Sequence, residues 1–488
     1  MLMAQRRSSG SSSTAIVVGA GISGLTAAWR LQSAGIDVVV VDKAARPGGR
    51  FHSITVNGCT MEAGANFVTD AYRIIPKLAA AVNLKLEHLS SGSAIAIDGQ
   101  IRAFRASLPP SAVRAGILSL RDAGAAVPGL ARFGTRYRRN GTFDPLNWLA
   151  LDAVPATEWA EELGLHAMLE RAWRPAYHGF YFQDTQASSA AAVAAMAQHG
   201  LRQHTLTIRG GLSTLTDALA ARLEVHTGVT VTEIAQAASE VLVRTDRGDY
   251  RADAVVVAVP GPHADGIMAL DHYETAVTQV PYSSGLLVGL GLGRRVGRPE
   301  LQGAYGVLAH PDTGPFAALC VASRAGHVPD SGSSGGSRDV ITCMFSDSQA
   351  HVLAAQTDAK IIAAARHSLL AWEPTLRDAF VDDDSGDAAP SNTAPSNTAH
   401  SNTTPSDRAP SHMAPSNAVI RIPYAMPTSP PGRLSHIAAY RRHAYGRRVI
   451  LAGDSLAWPW SDSAAFTGMW ASNTARRCVA EVACHLEG

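Results

Sequence analysis

Lysine is nearly missing from this chain. Of 42 basic residues only Lys43, Lys77, Lys85 and Lys360 are lysines, and the rest are arginines. Charge is sparse altogether, at 17 % of residues, and 41 Asp+Glu almost cancel the basic side chains to leave +1. That balance excludes a globally basic nucleic-acid binder and an acidic tail protein. Cysteine is scarce and odd in number: Cys59, Cys320, Cys343, Cys478 and Cys484, with no C-x-x-C pair. A disulfide framework and a structural zinc are therefore not expected, no metal site is expected, and a reducing cytoplasm fits. No apolar run reaches the roughly 18 residues of a membrane-spanning helix. Met1 to Ser13 reads as a flexible leader, and the apolar stretch after it is too short and glycine-rich for a signal peptide.

What the chain has is length and apolar content. Its 488 residues, 46 % of them apolar, can build large cores, and at roughly 150 residues each they suggest two or three domains. Residues 15–18 form a short apolar run that stops at Gly19-Ala20-Gly21-Ile22-Ser23-Gly24. Residues 22–34 then show helical spacing up to Gly35, and 37–41 are a second apolar strand ending at Asp42. Residues 205–260 repeat this α/β style, with a helix expected over 212–223 and strands at 229–231, 241–244 and 254–259. A last strand at 448–451 runs into Ala452-Gly453-Asp454, and a helix is expected from about Ala464. Residues 90–204 read as mostly helical. Residues 282–424 hold strand-like runs at 286–292 and 340–345 and a helix over 347–370.

The expected fold class is α/β: a Rossmann-type dinucleotide-binding domain with an inserted α+β substrate domain. The first is expected from 1–89, 205–281 and 425–488, the second from 90–204 and 282–424. Residues 331–337 read as a flexible Ser/Gly loop. Residues 389–418 are a five-residue tandem repeat beginning APSNT, with almost no large apolar side chain, and read as a disordered insertion.

Each glycine of the first turn has a mechanical reason. Gly19 permits the tight turn, Gly21 lets backbone approach a pyrophosphate, and Gly24 lets helix pack on strand. The helix that Ile22 and Ser23 open presents free N–H groups and a positive dipole to phosphate. Asp42, 18 residues past Gly24, stands where a carboxylate reaches a ribose hydroxyl pair, and Lys43 follows it. Gly48-Gly49-Arg50, then Glu62-Ala63-Gly64-Ala65-Asn66, extend the pattern, and Gly453-Asp454 and Ala464 to Gly468 close it at the far end.

With these pieces over 14–67, 209–260 and 449–472, the sequence resembles the FAD-dependent superfamily of amine oxidases, protoporphyrinogen oxidases and phytoene-type desaturases. The resemblance implies an FAD enzyme. It puts the FAD pyrophosphate at Gly19 to Gly24 and the adenosine ribose at Asp42, where the family usually has glutamate. Gly48, Gly49 and Arg50 resemble the stretch along pyrophosphate and flavin, with Arg50 supplying charge and a fork of donors. Gly64, Ala65 and Asn66 resemble the run beside the flavin. Val231 resembles the position whose backbone meets adenine, and Pro260 closes the neighbouring strand. Asp454 resembles the acid near the ribityl and phosphate groups, and Ala464 and Ala465 the helix start at the flavin's pyrimidine edge. Ser463 departs from the family's glycine there.

Amine oxidases of the superfamily usually place a lysine near the flavin from the substrate domain. None lies between Lys85 and Lys360, which argues against an ordinary amine oxidase. Arg174 to Tyr181, Asp184 and the stretch 152–159 resemble protoporphyrinogen oxidase-like sequences. The expected reaction is dehydrogenation of a C–C or C–N bond in a sizeable, partly apolar small molecule, with oxygen as the expected acceptor. Tyr177, His178 and Asn66 are the candidate catalytic residues. His178 is either a general base or a satisfied structural histidine, and Phe67, Tyr181, Trp458 and Trp460 are either pocket wall or core. Alternatives are an amine oxidase without the lysine, an FAD-dependent isomerase and a non-catalytic flavoprotein. Residues 101–140 carry eight arginines and one acid, Asp122. They read as a solvated helical face, an entrance for an acidic substrate, or a peripheral contact with the inner face of the membrane.

Overall fold

A computed structural model describes residues 13–89, 92–104, 109–200, 204–237, 240–329, 337–381 and 415–486. The leader up to residue 12, the loop 331–336 and the repeat copies up to residue 414 lie outside the described residues.

Five strands form a parallel sheet: β1 (Thr14–Val18), β2 (Asp37–Asp42), β3 (Glu224–Thr227), β4 (Ala254–Val257) and β5 (Val449–Leu451), in the order β3-β2-β1-β4-β5. Val17, Val40, Val255, Val256 and Ile450 are fully buried, as expected where helices cover both faces. This is a Rossmann-type α/β domain. Helix α1 (Ile22–Gln32) follows β1 and crosses α2 (Ser461–Leu486). Their contact is backbone on backbone, since a Cβ at Gly468 would lie 2.0 Å from the Ser23 carbonyl oxygen. Helix α2 starts three residues ahead of the expected Ala464.

A second sheet has seven strands, ordered Asn417–Pro427, Tyr282–Leu292, Asp339–Phe345, Phe316–Val321, Gly306–Ala309, Ser93–Ile97 and Gln100–Phe104. The segment 90–204 is thus not purely helical. Asp98 and Gly99, both at positive φ, make the two-residue turn a hairpin demands, and that dipeptide was legible. Residues 205–260 also differ from a plain α/β unit. Val231–Gln236, Val241–Thr245 and Gly248–Ala252 form an antiparallel meander, because the Asp246-Arg247 link is too short for a parallel crossover. The edge strand β3 was not anticipated. The helix expected over 347–370 is two helices, Asp347–Leu353 and Asp358–Trp372, broken where Thr357 adopts an extended conformation.

From Pro415 on, the last copy of the repeat lies within the described residues. Asn417 and Ala418 open a strand paired with Leu290 and Gly289, and the Asn417 side-chain oxygen accepts from the Gly291 N–H at 3.3 Å. Pairing supplies here what the composition of the repeat does not. The described cysteines Cys59, Cys320, Cys343 and Cys478 form no disulfide. Among the described residues no helix is long and apolar enough to cross a membrane.

Candidate functional site

A cavity of about 680 Å³ opens along the C-terminal ends of β1, β2 and β4 and runs to the seven-stranded sheet. That is within the roughly 300–1,000 Å³ of small-molecule and cofactor sites. Gly19, Gly21, Ile22, Ser23, Asp42, Lys43, Gly48, Gly49, Arg50, Gly64, Ala65, Val231, Pro260, Gly453, Asp454 and Ala464 all line it. Residues scattered over four hundred positions thus share one wall.

Local sterics explain why these are the residues present. Gly19 has φ +105°, and a Cβ there would meet the Ala258 carbonyl oxygen at 2.8 Å. Gly24 stands clear of the lining, and a Cβ on it would lie 1.9 Å from the Gly19 oxygen, so its role is packing. A Cβ on Gly21 would touch nothing within 4 Å, because it would point into the cavity. Gly21 caps α1 with no side-chain hydrogen bond, and the first turn has no acid. A bare helix N-terminus at an open cavity suits a pyrophosphate. Asp42 is held by its neighbours: its carboxylate accepts from the N–H of Ala20 at 2.6 Å and of Ala44 at 2.8 Å.

Midway along the cavity, Arg50 donates from Nη1 to Asp454 Oδ2 and to the Ala425 carbonyl oxygen, each at 2.6 Å. Tyr282 donates to Asp454 Oδ1 at 3.1 Å. Burial works against the Arg50 charge, and Asp454 outweighs it and holds the guanidinium charged. Gly64 is pressed on this arginine, where a Cβ would sit 2.1 Å from the Arg50 carbonyl oxygen. Behind it, Glu62 accepts from Ser53 Oγ and from the Leu212 N–H. Burial raises its carboxyl to about 7.

The far end of the cavity is aromatic and apolar. Trp458 and Trp460 stack at 5.6 Å, and both line it with Phe182, Leu287, Ile422 and Met426. The Trp458 indole N–H is buried away from solvent with no hydrogen-bond partner among the described residues. Ser463 explains its departure from glycine: its Oγ accepts from the Trp458 backbone N–H at 3.0 Å and pins the tryptophan loop to α2. Asp462, in the first turn of α2, turns away to accept from the N–H groups of Arg73, Ile74 and Ile75. The open cradle at Gly21 and the charged fork of Arg50, both in the cavity lining, fit an FAD.

Other expected residues fall outside the lining. Asn66 donates from Nδ2 to the Gly64 carbonyl oxygen at 3.0 Å and accepts at its own carbonyl from Tyr305. Ala465 is fully buried. Tyr177 is buried and donates to Gln183 Oε1 at 3.3 Å. His178 donates from Nδ1 to the Ala309 carbonyl oxygen at 3.0 Å, and burial lowers its pKa. It lies outside the cavity lining with its Nδ1 spent on that carbonyl. Tyr177, His178 and Asn66 support the wall rather than face the cavity. Residues that the sequence did not single out include Phe182, His263, Leu287, Ile422 and Tyr424. His263 approaches Lys43 Nζ at 3.5 Å and packs edge-on to Tyr424. No motif marks them: Leu287, Ile422 and Tyr424 come from the seven-stranded sheet, His263 from the short helix Gly261–Asp265 after β4, and Phe182 from the end of the helix Arg174–Tyr181.

Fold and site together define a FAD-dependent oxidoreductase. A family model described as flavin containing amine oxidoreductase matches residues 22–465, and the chain belongs to that family. Coproporphyrinogen III oxidase of Mycobacterium tuberculosis is 29 % identical over 339 residues, covering 63 % of this chain and 72 % of that one. Hydroxyneurosporene desaturase of Rubrivivax gelatinosus is 45 % identical over 74 residues, which span 15 % of this chain and only 14 % of that protein's length. Cyclohexylamine oxidase of Brevibacterium oxydans superposes with a TM-score of 0.67 at 17 % identity, over 97 % of this chain and all of that one. At that identity the likeness is one of fold.

Proposed function

We propose that this enzyme dehydrogenates a C–C or C–N bond of a medium to large, partly apolar small molecule. The observation that carries this reading is the lysine-free apolar end of the cavity. All four lysines are exposed, and Lys43, which lines the cavity, directs its Nζ to His263 at 3.5 Å. Phe182, Leu287, Ile422, Met426, Trp458 and Trp460 carry no group that titrates near neutral pH. They hold an apolar substrate by area burial and keep water from the reacting carbon. Bound FAD supplies the hydride acceptor. Arg50, kept charged by Asp454, and the N-terminus of α2, with Ala464 in the cavity wall, stabilise negative charge there. The coproporphyrinogen oxidase and desaturase relatives support a ring or polyene substrate, and oxygen is the proposed acceptor.

Anaerobic mixing of holoenzyme with amines, porphyrinogens and polyenes tests this. Porphyrinogens or polyenes should bleach the flavin band. Bleaching by amines alone would assign the C–N bond and set aside the ring or polyene substrate, bleaching by none of the three would overturn the reading, and a rearranged product without bleaching would make the protein an isomerase.

We also propose a cytoplasmic enzyme that touches an anionic membrane surface. Arg114, Arg121, Arg132, Arg136, Arg138 and Arg139 are exposed, as are Leu120 and Val127. The apolar face is narrower than the sequence implied, because Ile117, Leu118 and Phe133 are buried. Sedimentation with anionic but not neutral vesicles is the expected result; equal recovery with both would refute the contact.

A further inference from the structure

Of the non-glycine residues at positive φ among those described, Phe182 is the one that lines the cavity. A bulky aromatic at φ 56°, ψ 31° is a conformational outlier that persists only where its surroundings over-determine it. They do so here from three sides. The Phe182 N–H donates to the His178 carbonyl oxygen at 2.9 Å, ending the helix Arg174–Tyr181. Ser283 Oγ donates to the Tyr181 carbonyl oxygen at 2.9 Å. Gln183 Nε2 donates to the Pro427 carbonyl oxygen at 3.0 Å, and Tyr177 donates to Gln183. The helix itself cannot slide, because a Cβ on Gly179 would sit 2.6 Å from Leu308 Cδ2. Tyr177, His178 and Gln183 thus do a positioning job for the residue between them.

The fixed backbone delivers the ring into one apolar cluster with Leu287 and Ala425. Ala425 is the residue whose carbonyl takes the Arg50 hydrogen bond, and the preceding Tyr181 packs on Trp460 at 6.1 Å. Phe182 therefore stands between the charged middle of the cavity and its aromatic end. We infer that Phe182 is a specificity-determining residue, a rigid wall whose ring limits the width of the substrate face admitted to the apolar end. The inference rests on the reading that this end receives substrate.

The test uses holoenzyme and a size series of neutral aromatic probes, benzyl alcohol, 1-naphthalenemethanol and 1-pyrenemethanol, read by perturbation of the bound-flavin spectrum. Phe182→Gly removes the ring and accepts the positive φ, so it should fold and keep its FAD. Phe182→Leu keeps apolar bulk without the ring. In Phe182→Gly the preference for pyrenemethanol over benzyl alcohol should rise about tenfold or more, the scale on which pockets discriminate by size. Phe182→Leu should fall between it and the parent. Unchanged ratios in both variants, loss of FAD from Phe182→Gly, or no probe binding to any form would overturn the inference. A shifted ratio in a protein whose flavin no substrate bleaches would uphold the wall and sink the proposed oxidation instead.

Discussion

Gly21 and Gly24 separate cofactor binding from folding, although they sit in the same six-residue turn. Gly21 has φ −72° and ψ 175°, which any residue adopts, and a Cβ there touches nothing within 4 Å. Gly21→Ala should thus cost the apoprotein under about 1 kcal/mol, the usual difference between glycine and alanine at a helix N-cap. The added methyl occupies space that the pyrophosphate needs. Overpacking of about 1–3 kcal/mol translates to a loss of FAD affinity of roughly 5- to 150-fold. In Gly24→Ala the methyl lies 1.9 Å from the Gly19 oxygen and 3.2 Å from Val17 Cγ1. The Gly19 backbone cannot retreat, so the fold should lose more than about 3 kcal/mol. Titrating FAD into the apoproteins and melting them separates the effects. Wild-type FAD affinity in Gly21→Ala would refute the phosphate role, and a wild-type melt in Gly24→Ala would refute the packing role.

Glu62 should make stability depend on pH. Its folded value of about 7 lies above the ordinary 4.5, so its contribution is complete below about pH 4.5 and is lost as pH rises through 7. The loss amounts to about 3 kcal/mol. Glu62→Gln should remove that part of the slope in melts at pH 5 and pH 8, and parallel slopes would contradict the assignment. Asp454→Ala strips Arg50 of its carboxylate; with Arg50 one-third exposed (33 %), the cost should be about 2 kcal/mol, under the roughly 3–5 of a fully buried pair. An unchanged melt and FAD affinity would show the pair to be idle. Ser463→Ala leaves the Trp458 N–H without its acceptor and should cost about 1 kcal/mol, read as a lower melting temperature and altered tryptophan emission.

The parallel sheet and the phosphate turn were legible because local rules fix them: apolar runs ending at glycine, helical spacing, an acid at the end of β2. Most of the cofactor wall followed from the same motifs. The substrate side was less legible. Leu287 and Ile422 are brought together by long-range strand pairing and Phe182 joins Leu287 from the end of a helix, contacts for which the sequence carries no local mark. Tyr177 and His178 are polar aromatics, which suggests a pocket, yet neither is in the cavity lining; Tyr177 Oη bonds to Gln183 and His178 Nδ1 to Ala309. The Asp98-Gly99 turn was a local signal passed over, since the arginine- and alanine-rich flanks favoured a helix. Asn417 shows the reverse case, a repeat residue ordered by its partner strand against its composition.

The central claim is that one cavity holds a whole dinucleotide, with adenosine at Asp42 and Val231 and flavin at Trp458. Reconstituting apoprotein with FAD and, separately, with FMN tests this most directly. The account predicts one releasable FAD per chain and FMN binding weaker by at least about 100-fold, some 3 kcal/mol for the lost adenosine contacts. FMN binding as tightly as FAD would contradict it.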